Sequence, residues 1–144
     1  MDATSILRGI VTLALLIKKK VDEVKTNRKK CETLCSRVQL LIPALEGKLI
    51  CVFIYRVLEL SKVGNKETID LLHAFQNCVQ KASDLISEFT DNNWLSKFLL
   101  SGANNKEFVK INKELQTLSQ DLQLGIAIQQ LFDENQDRID HGNY

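Results

Sequence analysis

Apolar residues recur along the first 26 positions at steps of three and four. Ile6, Ile10, Leu13, Ala14, Ile17, Val21 and Val24 fall on one face of a 3.6-residue repeat, which predicts an amphipathic helix from about Thr4 to Thr26. Asn27 is a stop and restart. Cys31, Leu34, Cys35, Val38, Leu41, Ile42 and Leu45 then continue the same period as a second helix, with a kink expected at Pro43, whose ring removes a hydrogen bond and crowds the preceding turn. The third pattern is the cleanest: Leu72, Phe75, Val79, Ala82, Ile86 and Phe89, with Leu71, Cys78 and Leu85 alongside, mark a helix burying one broad face. Asn65 starts it, with Glu67 and Asp70 in the first turn, and the DNN at 91–93 ends it.

After that end, WLSKFLL at 94–100 reads as a short helix lying across the bundle, with Trp94 as its anchor, and SGANN at 101–105 reads as a loop. A fourth long helix is predicted from about Lys106 to Phe132 on Phe108, Ile111, Leu115, Leu118, Leu122, Ile126 and Gln129. The remaining tail, 133–144, is polar and acidic. One segment resists periodicity. Leu49–Tyr55, LICVFIY, has the β-branched and aromatic content of a buried strand, which a buried helix can share. No second strand candidate exists to pair with it, and a lone strand leaves its backbone groups unsatisfied. By elimination it is helix, extending helix two towards Ser61. The expected fold is all-α: an antiparallel four-helix bundle over residues 1–132, with a short accessory helix between helices three and four, and at 133–144 a polar linker or the start of a further segment.

Composition supports an ordered, helix-rich chain. Of 144 residues one is proline, six are glycine and 44% are hydrophobic, and no apolar run approaches the ~20 residues that span a bilayer. A soluble intracellular protein is expected. The cysteines Cys31, Cys35, Cys51 and Cys78 fit no zinc spacing, and only His73 and His141 could help them. Cys31 and Cys35, one helical turn apart, read as small buried hydrophobes and reduced thiols. The sequence has no nucleophile elbow, no phosphate-cradling glycine loop and no metal-ligand cluster. His73 reads as a packed or surface residue. The expectation is a non-enzyme without a cofactor.

Charge changes the picture. The net charge is +1, yet the window from Lys18 to Arg37 holds eight bases against three acids, while the rest of the chain holds eleven bases against fifteen acids. A window of +5 facing a remainder of −4 points to a charged partner. The eight residues are Lys18, Lys19, Lys20, Lys25, Arg28, Lys29, Lys30 and Arg37. At ~100° per residue, Lys19 points away from the core of helix one, and Lys18 and Lys25 share a flank. Lys29 points outward on helix two, and Lys30 and Arg37 share a flank. Across a short turn at Asn27 the two helix ends present one basic corner. It is either a solvated face or a site for an anionic partner. Helix one also exposes Val11, Leu15 and Leu16 on its polar side, and lysines beside exposed leucines suit an anionic membrane surface better than a duplex. Nucleic acid is not expected, for want of aromatic interleaving or a reading module.

The same residues carry a resemblance. LRGIVTLALLIKKKVDEVKTNRKKCETLCSRVQLLIPALE looks like the first two helices of the N-terminal bundle of the vertebrate mixed lineage kinase domain-like family, through the basic run after an apolar helix, the KKC at 29–31, the RV at 37–38 and the IPALE around Pro43. ISEFTDNNWLSKFLLSGANNKEFVKINKELQTL resembles that family's accessory and fourth helices. The likeness covers most of the chain, from Leu7 to Leu49 and from Asn65 to Gln130, and departs at Leu49–Ser61. It implies the executioner module of a necroptosis effector, followed in the whole protein by a brace segment and a pseudokinase domain targeted by a receptor-interacting kinase. It further implies a cytoplasmic protein that moves to the inner plasma membrane on activation, oligomerises, binds phosphoinositides or inositol phosphates and permeabilises the bilayer. Position by position it implicates Lys19, Lys20, Lys25, Arg28, Lys29 and Lys30 in lipid binding. The competing reading is a non-lytic helical adaptor whose basic corner meets an acidic partner.

Overall fold

A computed structural model describes residues 3–25, 27–57, 65–90 and 94–125, and the side chains of 3–25, 27–54, 66–90 and 105–125. It is a bundle of four helices: α1 (Ala3–Val21), α2 (Arg28–Val57), α3 (Asn65–Glu88) and α4 (Trp94–Asp121). The predicted apolar faces meet in one core. Ile6, Ile10, Ala14 and Ile17 of α1 pack with Leu34, Val38, Leu41 and Leu45 of α2, with Leu72, Phe75, Val79, Ala82 and Ile86 of α3, and with Phe108, Ile111 and Leu115 of α4. Burying a side chain of this kind contributes about 1.5–3 kcal/mol, so burial rather than helix propensity holds the bundle.

Successive helices alternate in direction, but the parallel pairs lie side by side. α1 packs chiefly on α3 and α2, and α4 on α3 and, more sparsely, α2. The register is visible in side-chain pairs. Gly9 of α1 faces Gln76 of α3, and eleven residues on Lys20 reaches Ser83 and Ser87. A side chain at Gly9 would meet only the Gln76 amide, the far end of a flexible side chain that can move aside.

Between α1 and α2 the chain turns at Asn27, which takes the left-handed conformation (φ 53°) and accepts the first α2 hydrogen bond from the Cys31 N–H at 3.1 Å. Asparagine tolerates this conformation better than other side-chain-bearing residues, which is why the restart falls there. α1 itself ends at Val21, short of the expected Thr26, although Val24 still reaches the core.

Three further boundaries differ from expectation. The accessory helix and the loop at 101–105 are absent as separate elements, because α4 runs without a break from Trp94 to Asp121. SGANN contains no proline, and its single glycine costs a helix only about 1 kcal/mol, too little to enforce a break. The Trp94 side chain lies outside the described ones. At its other end α4 stops at Asp121, eleven residues before the expected Phe132. There the Leu124 N–H bonds the Ser119 carbonyl at 3.1 Å and the Gln123 N–H bonds Gln120 at 3.0 Å, with Gln123 left-handed (φ 55°) and Gly125 at φ 114°. This paired closure satisfies the last carbonyls and turns the chain out of the helix. Residues 126–132 lie outside the described ones, as does the stretch 58–61 expected to extend helix two.

Leu49–Tyr55 is helical, as elimination required, within an α2 that stays helical through Pro43. Its burial is another matter: Ile50, Phe53 and Ile54 are among the most exposed hydrophobic residues described.

Candidate functional site

The α1–α2 turn gathers the basic window at one end of the bundle. The turn is fixed by a backbone bond from the Lys25 N–H to the carbonyl of Phe89, just past the end of α3, 2.8 Å long. That end therefore presents a defined surface built from the last turn of α1 and the first of α2.

The eight predicted basic residues divide into two groups. Lys18, Lys19, Lys25, Arg28 and Lys29 are exposed. Arg28 makes a 3.0 Å ion pair with Glu32 one turn on, an exposed pair worth a few tenths of a kcal/mol. Leu15, exposed on α1, lies three and four residues before Lys18 and Lys19 and so shares their side, and Leu16 is exposed beside it.

Lys20, Lys30 and Arg37 turn inward instead. The half-buried Lys20 ammonium donates to the hydroxyls of Ser83, at 3.0 Å, and Ser87. Lys30 is only 8% exposed; it donates to the Asn105 side-chain carbonyl and sits 5.8 Å from the centre of the Phe108 ring, within cation–π reach. Phe108 in turn stacks on Phe89 with centroids 5.6 Å apart. Arg37, 3% exposed, donates from Nη1 to Oδ1 of Asn112 at 2.7 Å, while Asn112 donates to the Phe108 carbonyl at 2.9 Å. Lys30 and Arg37 do share a flank of α2, but α4 covers that flank. The lipid-binding role expected of Lys20, Lys30 and Arg37 thus meets side chains engaged inside the bundle, where they join α1 to α3 and α2 to α4.

Sequence reasoning missed the partners of these cations. A signal existed: Lys30 and Arg37 are seven apart, and so are Asn105 and Asn112, so two parallel helices can pair them at a common step. Asparagines on an otherwise amphipathic helix read as solvated positions until the neighbouring helix is known.

Three of the four cysteines are buried packing residues. All four are free thiols; Cys31, Cys35 and Cys78 are buried and Cys51 is exposed. Burial pushes the Cys31 and Cys78 thiols up to about 12 and raises Cys35, so these three stay protonated and unreactive. No three His, Cys, Asp or Glu side chains converge among the described residues, and His73 is half-buried on α3. No described helix is long and apolar enough to cross a membrane.

The model of the mixed lineage kinase domain-like N-terminal domain matches residues 7–138 of the chain. This chain belongs to that family. The match spans all four helices and the basic turn, and it makes the bundle a necroptosis-related executioner module of a non-catalytic kind. No curated protein and no solved structure matches the chain.

Proposed function

We propose that this bundle is a membrane-binding, membrane-permeabilising effector of necroptotic cell death, recruited by its basic α1–α2 end to anionic phospholipids, phosphoinositides above all, on the inner plasma membrane. The observation that carries the reading is the cluster of five exposed cations, Lys18, Lys19, Lys25, Arg28 and Lys29, at one end of the bundle beside exposed Leu15 and Leu16. Inositol phosphates offer the same phosphate chemistry in solution. The family implies control from outside the bundle, by a receptor-interacting kinase acting on a pseudokinase domain, and a cytoplasmic resting state.

At about 1 kcal/mol per basic residue near an anionic surface, five exposed cations supply ~5 kcal/mol, or between three and four decades of partitioning. Opening a bundle of this size costs roughly 5–15 kcal/mol. One copy docks without unfolding into the bilayer; several linked copies gain avidity with no new contact. Electrostatics recruits, and self-association does the damage.

Replacing Lys18, Lys19, Lys25, Arg28 and Lys29 together by glutamine tests this. The variant keeps its helical signal and its unfolding midpoint, loses binding to vesicles containing phosphoinositide and no longer releases a trapped dye, while wild-type binding falls steeply with added salt. Equal binding by both proteins would defeat the reading, and binding without dye release would leave a non-lytic adaptor.

A further inference from the structure

α2 has a second apolar face, and it looks outward. Leu40, Pro43, Gly47, Ile50 and Ile54 follow one another at steps of three, four, three and four, and all five are exposed. At ~100° per residue they fall within about 80° of one another, opposite Val38 and Leu41 of the core. Leu40, Ile50, Ile54 and the neighbouring Phe53 are 48–66% exposed. Such steps are those of a helix packing knobs against a second helix, and no charge sits on the stripe itself: Lys48 flanks it on one side, and on the other Glu46 lies between it and Phe53. Gly47 stands at its centre. Among the described residues nothing approaches within 4 Å of where its side chain would be, so their packing gives no reason for the weakest helix former after proline. A glycine there suits a second helix crossing close to the backbone.

We propose that the outer face of α2 from Leu40 to Ile54 is a self-association surface, on which a second copy of this chain packs antiparallel with the two helices crossing at Gly47. The stripe nearly complements itself under reversal: Leu40 comes opposite Ile54 of the second copy, Pro43 within one residue of Ile50, and Gly47 meets Gly47, so one patch serves both copies. Charge selects the direction. The exposed cations lie at the start of α2, and a parallel pair would bring two such clusters together. The antiparallel pair sets them about 55 Å apart along the helices, several screening lengths at physiological salt. Area is sufficient. Each of the four large side chains exposes on the order of 100 Å²; two copies cover about 800 Å² from these alone, and Pro43, Gly47 and Cys51 bring the contact to the ~1,000 Å² of a specific interface. The inference rests on the self-association in the function proposed above and gives it a surface; it does not depend on which lipid is bound.

Disulfide trapping tests it in the whole chain carrying Cys51→Ser, both at about 100 µM in solution and on phosphoinositide vesicles. Gly47→Cys should cross-link to itself, and Leu40→Cys should cross-link to Ile54→Cys in a mixture, each at least tenfold above the exposed control Asp84→Cys. Trapping of Leu40→Cys to Leu40→Cys in place of the mixed pair, or no trapping above the control in either setting, would overturn the proposal. Ile50→Gln with Ile54→Gln supplies the second measurement: it should sediment as a monomer where wild type associates, keep its helical signal and still bind vesicles. Loss of vesicle binding by that variant, with no association of the wild type, would assign the stripe to the bilayer and overturn the proposal. If wild type traps as expected but ignores phosphoinositide, the lipid reading falls and the surface stands.

Discussion

The two halves of α2 treat polarity in opposite ways. In the first half, two cations lie inside: Lys30 against Asn105 and Phe108, and Arg37 against Asn112. On the outer face, from Leu40 onward, apolar side chains lie outside instead: Leu40, and in the second half Ile50, Phe53 and Ile54. Residue type does not explain this, because both halves share the inner row of Leu34, Val38, Leu41 and Leu45. Neighbours do. Along the first half α4 runs parallel to α2 with an asparagine at each matching turn, and charged heads can be covered once they are hydrogen-bonded. Beyond Leu45 the cover thins. The register of Gln39 against Ala14, where the amide donates to the backbone carbonyl at 2.7 Å, brings α1 to its first residues near Ile50. The register of Arg37 against Asn112 brings α4 to its end near Glu46. α2 outlasts both neighbours, and its last two turns keep hydrophobic side chains that they cannot reach.

The comparison can be broken most sharply with two leucines six residues apart. Leu34→Ala should cost about 2–5 kcal/mol, since Leu34 is fully buried and its removal leaves a cavity, whereas Leu40→Ala should stay within ~0.5 kcal/mol in the monomer. Urea midpoints measured at low concentration decide it, and similar losses at both sites would mean that Leu40 is covered within one copy. The two arginines give the next effect. Arg37→Ala should cost about 2–3 kcal/mol, through a lost charged hydrogen bond, a stranded Asn112 carbonyl and lost packing of the stem. Arg28→Ala, which removes only an exposed ion pair, should change stability by under ~0.5 kcal/mol. If the two substitutions weigh the same, Arg37 is a surface residue and belongs with the exposed cations. The smallest effect sharpens the second half alone: Gly47→Ala should stabilise the dilute monomer by about 1 kcal/mol, because the new methyl meets open space and the helix gains a better former. A loss in thermal scans would show that the position is crowded within one copy.

Much of this molecule is legible before folding. The stripes at Ile6–Ile17, Leu34–Leu45, Leu72–Phe89 and Phe108–Leu122 name nearly the whole core, because a 3.6-residue period needs only the chain's own geometry to declare a buried face. Asn27 as a break and the basic surplus of the α1–α2 turn can be read the same way. What the helices do at their ends cannot. The continuity of α4 through SGANN and its closure at Gln123 turn on differences of about 1 kcal/mol between competing local structures, which packing settles.

Sequence alone therefore determined that four amphipathic helices form, which faces meet, and that positive charge collects at one end. Tertiary structure alone decided which cations that end shows to solvent. Lys20, Lys30 and Arg37 sit on flanks of their helices, and a flank becomes interior or surface only when a neighbouring helix arrives at a particular register with Ser83, Ser87, Asn105 or Asn112 in reach. The exposure of Ile50, Phe53 and Ile54 was decided likewise, by how far two other helices extend. Periodicity reports the direction in which a side chain points; what stands there is a long-range property of the packed chain.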